Sequence, residues 1–258
     1  MKLEKIKEEK KKNKLSLLFK DADEIFANTI RRLIIEDVPT LAVENIEIKE
    51  NSSALFDEML GLRLGLSPIK TDLKSYELKE KCKCGGAGCA RCELKITLKA
   101  NKKGYVYAEE ADSADPKCIF AYPKMPLVKL LSKQKIDLTM TAVLGTGKMH
   151  GKWSPGYAYY KKEPTLTLGK VENPELVMKK CTDGVFELNN KKLKIVDENI
   201  YDSNLLEFYA ELDKGITLSY TNNIIFTLES WGQLSSKEIL HQSAEILLAK
   251  IEELEKLL

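Results

Sequence analysis

Four cysteines lie within eleven residues of this 258-residue chain, at Cys82, Cys84, Cys89 and Cys92. Thiolates are preferred ligands of Zn²⁺, and four of them complete a tetrahedral shell with Zn–S bonds of about 2.3 Å. Three glycines between the second and third cysteine supply the left-handed backbone conformations that so tight a reversal needs. Because all four ligand positions would be filled by protein, with none left for a reactive water, the spacing predicts a structural zinc site.

The sequence alone leaves three other states of these cysteines possible, namely a disulfide pair, free thiols or an iron–sulfur cluster. The loop is tighter than the usual spacing of cluster ligands. A zinc finger that reads nucleic acid would be followed by a recognition helix, whereas Glu93 to Lys99 alternates in hydrophobicity like a strand. Cys118 and Cys181 stand alone, and we expect each to be an inert thiol.

Residues suited to catalysis are few. His150 and His241 are the only histidines, and neither belongs to a Ser/His/Asp or Cys/His pattern. The glycine-rich segment 145–151 could cradle a phosphate, but its spacing fits neither a P-loop nor a dinucleotide fingerprint, so a structural or interface loop is the expectation. No aspartate cluster looks able to hold two magnesium ions. The sequence therefore predicts no catalytic site in this chain.

The composition argues against a dedicated nucleic-acid or membrane protein. Lys+Arg 41 against Asp+Glu 39 leaves a net charge of +2, whereas nucleic-acid binders usually carry a clustered positive excess. Residues 2–14 hold seven lysines and three glutamates, which favours a solvated strand edge or arm, with a nucleic-acid or partner contact as the alternative. No apolar run is long enough for a membrane span or a signal peptide, so we expect a cytoplasmic protein.

The elements that must position these residues alternate between strands and helices. Asp21 to Asp23 offer caps for an amphipathic helix over 23–37. Residues 53–63 place Leu55, Met59 and Leu62 on one face of a second helix. A hairpin turn is predicted at Asn189 and Asn190. Strands are predicted at 15–19, 41–49, 93–99, 136–144 and 222–231.

The last helix carries the clearest pattern. Ser235 and Glu238 form a capping box, and the apolar positions that follow are spaced by 4, 3, 4, 3 and 4 residues, which is a heptad seam. Such a seam is buried against another helix, either of the same chain or of a partner subunit. We favour the partner. The seam consists of Leu240, Ala244, Leu247, Ile251, Leu254 and Leu258.

Three segments, in order along the chain, resemble the D subunit of archaeal RNA polymerase and, more distantly, the third-largest subunit of eukaryotic RNA polymerase II. They are FANTIRRLI at 26–34, continuing as VPTLAV at 38–43; AVLGTG at 142–147 with HGKWSP at 150–155; and FTLESWG at 226–232. The cysteine cluster is similar to the zinc loop of the eukaryotic relative and lies between the first two segments. Together they are specific, whereas any one alone would be weak evidence.

The resemblance implies an α+β fold in which an alpha-subunit-like dimerisation domain, 1–40 and 156–258, is interrupted by an inserted, mainly β domain at 41–155. It implies a non-catalytic assembly subunit that forms a heterodimer with subunit L, to which subunits N and P and the second-largest catalytic subunit then bind. Contact with DNA would be only indirect, through the complex. The expected partner interface consists of Phe26, Ile30, Leu33, Leu240, Leu247, Ile251 and Leu254.

One departure from the family concerns the ferredoxin-like insert that many of these D subunits carry. Residues 180–188, KCTDGVFEL, look like the start of such an insert, but the expected run of three cysteines is replaced by IYDSNLLE at 200–207. One cysteine cannot hold a cluster that needs three or four thiolates. We expect a degenerate, cluster-free insert at 162–212. A free nucleic-acid binder and a redox protein are the rival classes; the near-neutral charge opposes the first and the missing cysteines the second.

Overall fold

The computed structural model describes residues 1–189 and 192–258. The helices are α1 Glu24–Glu36, α2 Asp57–Gly65, α3 Pro174–Lys180, α4 Asp197–Ile200, α5 Leu206–Leu212 and α6 Ser236–Glu255. The strands are β1 Lys2–Glu9, β2 Lys14–Lys20, β3 Thr40–Asn51, β4 Leu94–Ala100, β5 Gly104–Tyr107, β6 Ala111–Ser113, β7 Pro126–Leu130, β8 Ile136–Gly145, β9 Gly156–Leu168, β10 Phe186–Asn189, β11 Lys192–Ile195 and β12 Ile216–Ser230.

These elements confirm the predicted α+β class and fall into two compact units. The first comprises residues 1–7, 16–28 and 159–227, and the second residues 8–15, 29–158 and 228–258. Within the described residues, no helix combines the length and the apolar character needed to cross a membrane.

The second unit is built on an antiparallel sheet in the order β3-β8-β4-β6. Strands β3 and β8 pair along their whole length, from Thr40 opposite Gly145 to Asn51 opposite Ile136. The alternating strand predicted at 93–99 is β4, which pairs with β8 through Leu94 opposite Ala142. Apolar side chains on one face of this sheet form the core, with β7 and α2 packed against it.

Helix α2 begins later in the chain than the helix predicted within residues 53–63. Its buried residues are Leu60 and Leu64, one turn apart, whereas Met59 and Leu62 are exposed. The prediction of a shared Leu55, Met59 and Leu62 face was wrong for Leu55, because the helix begins only at Asp57. Met59 and Leu62 do share a face, which is the side away from the buried i, i+4 leucine pair. The outward side therefore carries exposed apolar side chains, which are Phe56, Met59, Leu62 and Leu66.

The loop after β8 requires glycine at two positions because neighbouring atoms pack too closely for a Cβ. A Cβ on Gly145 would lie 2.5 Å from the Trp153 ring, and one on Gly147 would lie 1.9 Å from the carbonyl oxygen of Ile35. Two backbone N–H groups of the loop are bonded within the chain, since Lys148 donates to the carbonyl oxygen of Glu36 and Met149 to that of Thr146, both at 2.9 Å. These contacts explain the segment as a structural loop.

The first unit contains most of the residues of a four-stranded sheet in the order β1-β2-β12-β9. A small separate core lies within the same unit, in the region where the sequence predicts the degenerate insert. It includes the hairpin of β10 and β11, in which Phe186 pairs with Ile195. Of the predicted turn at Asn189 and Asn190, the second residue lies outside the described residues.

The helix ends match their sequence signals. Asp23 caps α1, because its Oδ1 accepts a hydrogen bond from the backbone N–H of Phe26 at 2.7 Å. In α6 the N–H of Glu238 donates to Ser235 Oγ, and Glu238 Oε2 accepts from the N–H of Ser235 at 2.8 Å. The predicted capping box is therefore confirmed, and it sets the start of the helix that carries the heptad seam.

Candidate metal centre and exposed helix face

The four cysteines of the loop converge on a single point. The distances between their sulfur atoms include 3.4 Å for Cys82 to Cys84, 3.6 Å for Cys84 to Cys92 and 3.8 Å for Cys89 to Cys92. All four sulfurs lie within 4.8 Å of one another. A tetrahedron with metal–sulfur bonds of about 2.3 Å has sulfur–sulfur edges of about 3.8 Å. The arrangement could therefore hold a metal ion.

The local backbone explains how eleven residues reverse so tightly. Gly85, Gly86 and Gly88 have φ values of 64°, 82° and 91°, a region that side chains with a Cβ rarely enter. At Gly88 a Cβ would also lie 2.8 Å from a carboxylate oxygen of Glu93. These three positions are the ones for which the sequence predicts left-handed conformations.

Two ion pairs fasten the ends of the loop. Arg91 donates to Glu77 Oε1 at 2.6 Å, and the backbone N–H of Glu77 donates to the carbonyl oxygen of Arg91 at 2.8 Å. Lys79 Nζ lies 2.7 Å from Glu93 Oε1. The chain entering the loop is thereby clamped to the chain leaving it, just before β4 begins at Leu94.

The protonation of the cluster depends on its own thiols. Hydrogen bonding with Cys82 and Cys92 lowers the pKa of Cys84 to about 6, whereas burial raises the pKa of Cys92. Four adjacent thiols cannot all ionise together without a cation between them, because the thiolates repel one another. A divalent ion at the centre would hold all four as thiolates.

The two isolated cysteines lie away from this cluster. Cys118 is fully buried, and burial raises the pKa of its thiol to about 11. Cys181 donates a hydrogen bond to Asp183 Oδ1 at 3.4 Å. That carboxylate also accepts from Tyr209 at 2.7 Å and contacts Ser203, so a polar network links residues 181–183 to Ser203 and Tyr209.

The apolar seam of α6 is largely uncovered within this chain. The buried residues of the helix are Ile239 and Ser243, which lie about 90° around the helix from the seam at 100° per residue. Along the seam, Leu240 and Leu247 are half-buried, whereas Ala244, Ile251, Leu254 and Leu258 are exposed. One face of α6 thus packs on its own chain while the neighbouring apolar face points to solvent.

The predicted interface residues of α1 have a different environment. Ile30 and Leu33 are buried by this chain itself. Phe26 is half-buried and packs on Phe19, with ring centroids 6.1 Å apart. The seam of α6 therefore presents more uncovered apolar surface than the predicted interface residues of α1 do.

Sequence reasoning missed some exposed apolar side chains. Leu248 and Leu257 of the last helix fall outside the heptad pattern but are exposed. On α2 the sequence placed Met59 and Leu62 on one face without indicating whether that face is buried, and the structure exposes both. The only signal for the buried face was the i, i+4 spacing of Leu60 and Leu64. Apolar periodicity alone does not show which of the two faces is buried.

The histidines lie on the surface. His150 Nδ1 accepts a hydrogen bond from the backbone N–H of Lys152 at 3.1 Å. His241 is exposed on α6, with its Nδ1 3.5 Å from Glu245.

Comparison with known proteins identifies the architecture. Residues 46–155 match the family model of the RNA polymerase Rpb3/RpoA insert domain. These residues lie within the second unit, which contains the cysteine cluster and the sheet of β3, β8, β4 and β6. The predicted alpha-subunit-like fold is thereby confirmed.

Relatives extend the match over most of the chain. The DNA-directed RNA polymerase subunit Rpo3 of Methanosarcina acetivorans is 36% identical over 234 residues, covering 89% of this chain and 88% of that protein. The Rpo3 subunit of Archaeoglobus fulgidus is 32% identical over 252 residues, covering 97% and 96%. That of Pyrococcus furiosus is 32% identical over 260 residues, covering 96% of each.

Proposed function

The chain belongs to the archaeal Rpo3 family of DNA-directed RNA polymerase subunits, the D or alpha-like subunits, and from that premise we propose that it is a non-catalytic assembly subunit. In this role it forms a heterodimer with subunit L, onto which subunits N and P and the second-largest catalytic subunit assemble. Its contact with DNA is indirect, through the assembled enzyme, in the cytoplasm.

The observation that carries this proposal is the uncovered seam of α6. Ile251 and Leu254 are large apolar side chains on a well-formed helix, yet they lie exposed in the isolated chain. Exposed contiguous apolar surface of this kind is typical of a protein–protein interface, and heptad spacing is typical of helix-on-helix pairing. Leu240 and Leu247 continue the same stripe toward the start of the helix.

In the proposed domain arrangement, both ends of the chain form the dimerisation domain, 1–40 and 156–258, and residues 41–155 form the inserted domain. The insert at 162–212 is proposed to be free of an iron–sulfur cluster. The polar network around Asp183 supports this reading, because hydrogen bonds from Tyr209 and Ser203 link segments that a cluster would otherwise tie together.

We propose that the metal in the cysteine loop is one structural zinc ion. Four sulfur ligands with tetrahedral spacing suit Zn²⁺, and a site closed by protein ligands leaves no position for substrate. The ion would hold the loop closed and would contribute to the stability of the inserted domain.

Co-expression with subunit L from the same source tests the assembly role. Size-exclusion chromatography and native mass spectrometry should show a complex of one copy of each chain. A chain that remains a stable monomer in the presence of subunit L would refute the proposal.

Metal analysis tests the zinc site. Serine replacement of Cys82, Cys84, Cys89 or Cys92 should each reduce bound zinc from about one ion per chain to a small fraction, because every thiolate is a ligand. Cys118→Ser is the matched control and should retain its zinc. Undiminished zinc in all four loop variants would exclude this loop as the site, and stoichiometric iron with acid-labile sulfide after anaerobic purification would exclude the cluster-free reading.

A further inference from the structure

Within the first unit, β9 and β12 pass through a stretch in which neither strand buries a side chain. The two strands are neighbours in the sheet, and none of residues 159–163 of β9 or 217–223 of β12 is buried. Along β12, buried side chains lie on both sides of this stretch, at Ile216 and at Ile224. We call these two runs of residues the neck, and the described residues between them, 164–189 and 192–216, the lobe.

Apolar packing lies on both sides of the neck. On one side, Phe226 of β12 stacks on Phe19 of β2 with ring centroids 5.2 Å apart. On the other side, the lobe has a core of its own that includes Phe186, Tyr209 and Ile216. Because no residue of the neck is buried, the neck adds little apolar packing that would fix one of these cores relative to the other.

The neck is only two strands wide. The other neighbour of β12 is β2, and Ser16 Oγ of β2 lies 3.3 Å from Thr227 Oγ1 of β12. The carbonyl oxygen of Asn13 accepts a hydrogen bond from the N–H of Ser230, so the two strands run antiparallel. Strand β2 ends at Lys20 and therefore reaches only the near end of the neck. A two-stranded ribbon without cover is marginally stable in water, so it bends more readily than the sheet does.

Polar contacts hold the lobe against the neck and against β1. They come from residues 201–203, directly after α4, and we call them the latch. Its contacts join the Tyr201 hydroxyl to Glu163 Oε1 at 3.0 Å, Lys161 Nζ to the carbonyl oxygen of Ser203 at 3.3 Å, and Lys7 Nζ to Asp202 Oδ2 at 2.8 Å. The side chains of Lys7 and Asp202 are 50% and 46% exposed, and ion pairs this exposed contribute little to stability.

Glu163 also links the two strands of the neck to each other. Its Oε2 accepts hydrogen bonds from Thr221 Oγ1 and from Asn223 Nδ2, both at 2.8 Å. These bonds cross from β9 to β12 and do not involve the lobe. Opening of the latch would therefore leave the two strands of the neck joined.

We propose that the lobe is a hinged arm, which turns about the neck as a folded body when the latch opens. The latch is polar, so its opening exchanges hydrogen bonds within the protein for hydrogen bonds with water at a small net cost. The core of the lobe stays packed, and the bend is taken up by the residues of the neck. The inference concerns this chain alone and does not depend on the proposed partner subunits.

Single-molecule energy transfer on the full chain tests the motion. Ile25 of α1 and Lys179 of α3 are exposed. Both are replaced by p-acetylphenylalanine, which carries the dyes and leaves the cysteines unmodified. The wild type should show one main transfer efficiency. Tyr201→Phe with Asp202→Ala removes two latch contacts and should raise the population at other efficiencies about tenfold.

Asn199→Ala is the matched control, because it removes a 2.8 Å hydrogen bond to the carbonyl oxygen of Gly184 that lies wholly within the lobe. Its efficiency distribution should match that of the wild type. An unchanged distribution in the latch variant, or the same broadening in the control, would overturn the proposal.

Hydrogen exchange measured by mass spectrometry separates turning from unfolding. Helix α5 contributes Leu206 and Tyr209 to the core of the lobe. Its amides should exchange as slowly in the latch variant as in the wild type, because the core stays packed. Faster exchange throughout α5 would mean that the lobe unfolds when the latch opens, and the hinge would be refuted.

Salt tests the ionic part of the latch without a change to the neck. In 1 M salt the Debye length falls to about 3 Å, which weakens the exposed pair of Lys7 and Asp202. The wild type should then shift toward the efficiencies of the latch variant, whereas Asp202→Ala should respond much less. Equal responses from the two proteins would contradict the proposed latch.

Discussion

The heterodimer should weaken sharply when Ile251 and Leu254 are both replaced by alanine. Both side chains lie on the seam of α6, and alanine preserves helix propensity. Since neither residue is buried in the isolated chain, the double variant should fold as the wild type does. The loss should therefore appear in binding and not in the stability of the monomer.

The size of the effect follows from the surface that the partner would cover. Ile251 is 45% exposed and Leu254 is 57% exposed. Full burial of such a side chain is worth about 1.5–3 kcal/mol, so covering these fractions contributes roughly 1.5–3 kcal/mol for the pair. That range corresponds to an increase in Kd of about 10- to 150-fold.

The assay is a titration of labelled subunit L with each variant, followed by fluorescence anisotropy. Glu253→Ala with Lys256→Ala is the matched control, because these two positions lie on the far side of the helix from the seam and are exposed. The control should bind within a factor of about two of wild type, as expected for surface changes. If the double seam variant also bound that tightly, the seam would not be the interface.

Two predictions concern stability. Tyr209→Phe removes a 2.7 Å hydrogen bond to Asp183; burial opposes ionisation of that carboxyl, but its hydrogen bonds outweigh burial and hold its pKa below the usual value. The bond therefore stabilises the fold above the usual pKa, and this contribution is lost as the pH falls through the folded pKa. Urea titrations should show a loss of about 1–2 kcal/mol at neutral pH and a smaller loss below about pH 3; an equal loss at both would contradict the assignment. Gly147→Ala places a Cβ 1.9 Å from the carbonyl oxygen of Ile35 and should lower the free energy of unfolding by about 2–3 kcal/mol, whereas Gly151→Ala meets nothing within 4 Å. Thermal melts that do not separate the two would refute the packing role.

The cysteine loop was predictable from the sequence because its geometry is local. Cys82 and Cys92 are only ten residues apart, so one reversal brings their sulfurs together, and glycine is the residue type that permits it. The capping box of α6 was predictable for the same reason, since Ser235 and Glu238 reach each other within one helical turn. In both cases the interacting residues are close in sequence.

The orientation of α2 was not predictable in this way. Leu55, Met59 and Leu62 form a plausible apolar face, and so do Leu60 and Leu64. Which of the two faces the sheet depends on the position of β3 and β8, and apolar periodicity within one helix carries no information about a distant strand.

The contact between Thr71 and Gln233 also escaped sequence reasoning. Thr71 donates its backbone N–H to the carbonyl oxygen of Gln233 at 2.9 Å, although the two residues are far apart in the chain. Segments that meet only through tertiary folding share no spacing that a sequence pattern could reveal. By contrast, the family resemblance identified the overall architecture because it spans segments from both ends of the chain.

The exposed end of α6 has a consequence for the amounts in which subunits must be made. An unassembled copy of this subunit leaves Ile251, Leu254 and Leu257 exposed to solvent. Exposed apolar surface of this kind promotes aggregation. In cells, chaperones bind such unassembled subunits and proteases degrade them. Synthesis of this subunit in excess of its companion should therefore shorten its lifetime, so that pairing itself limits how much of it accumulates.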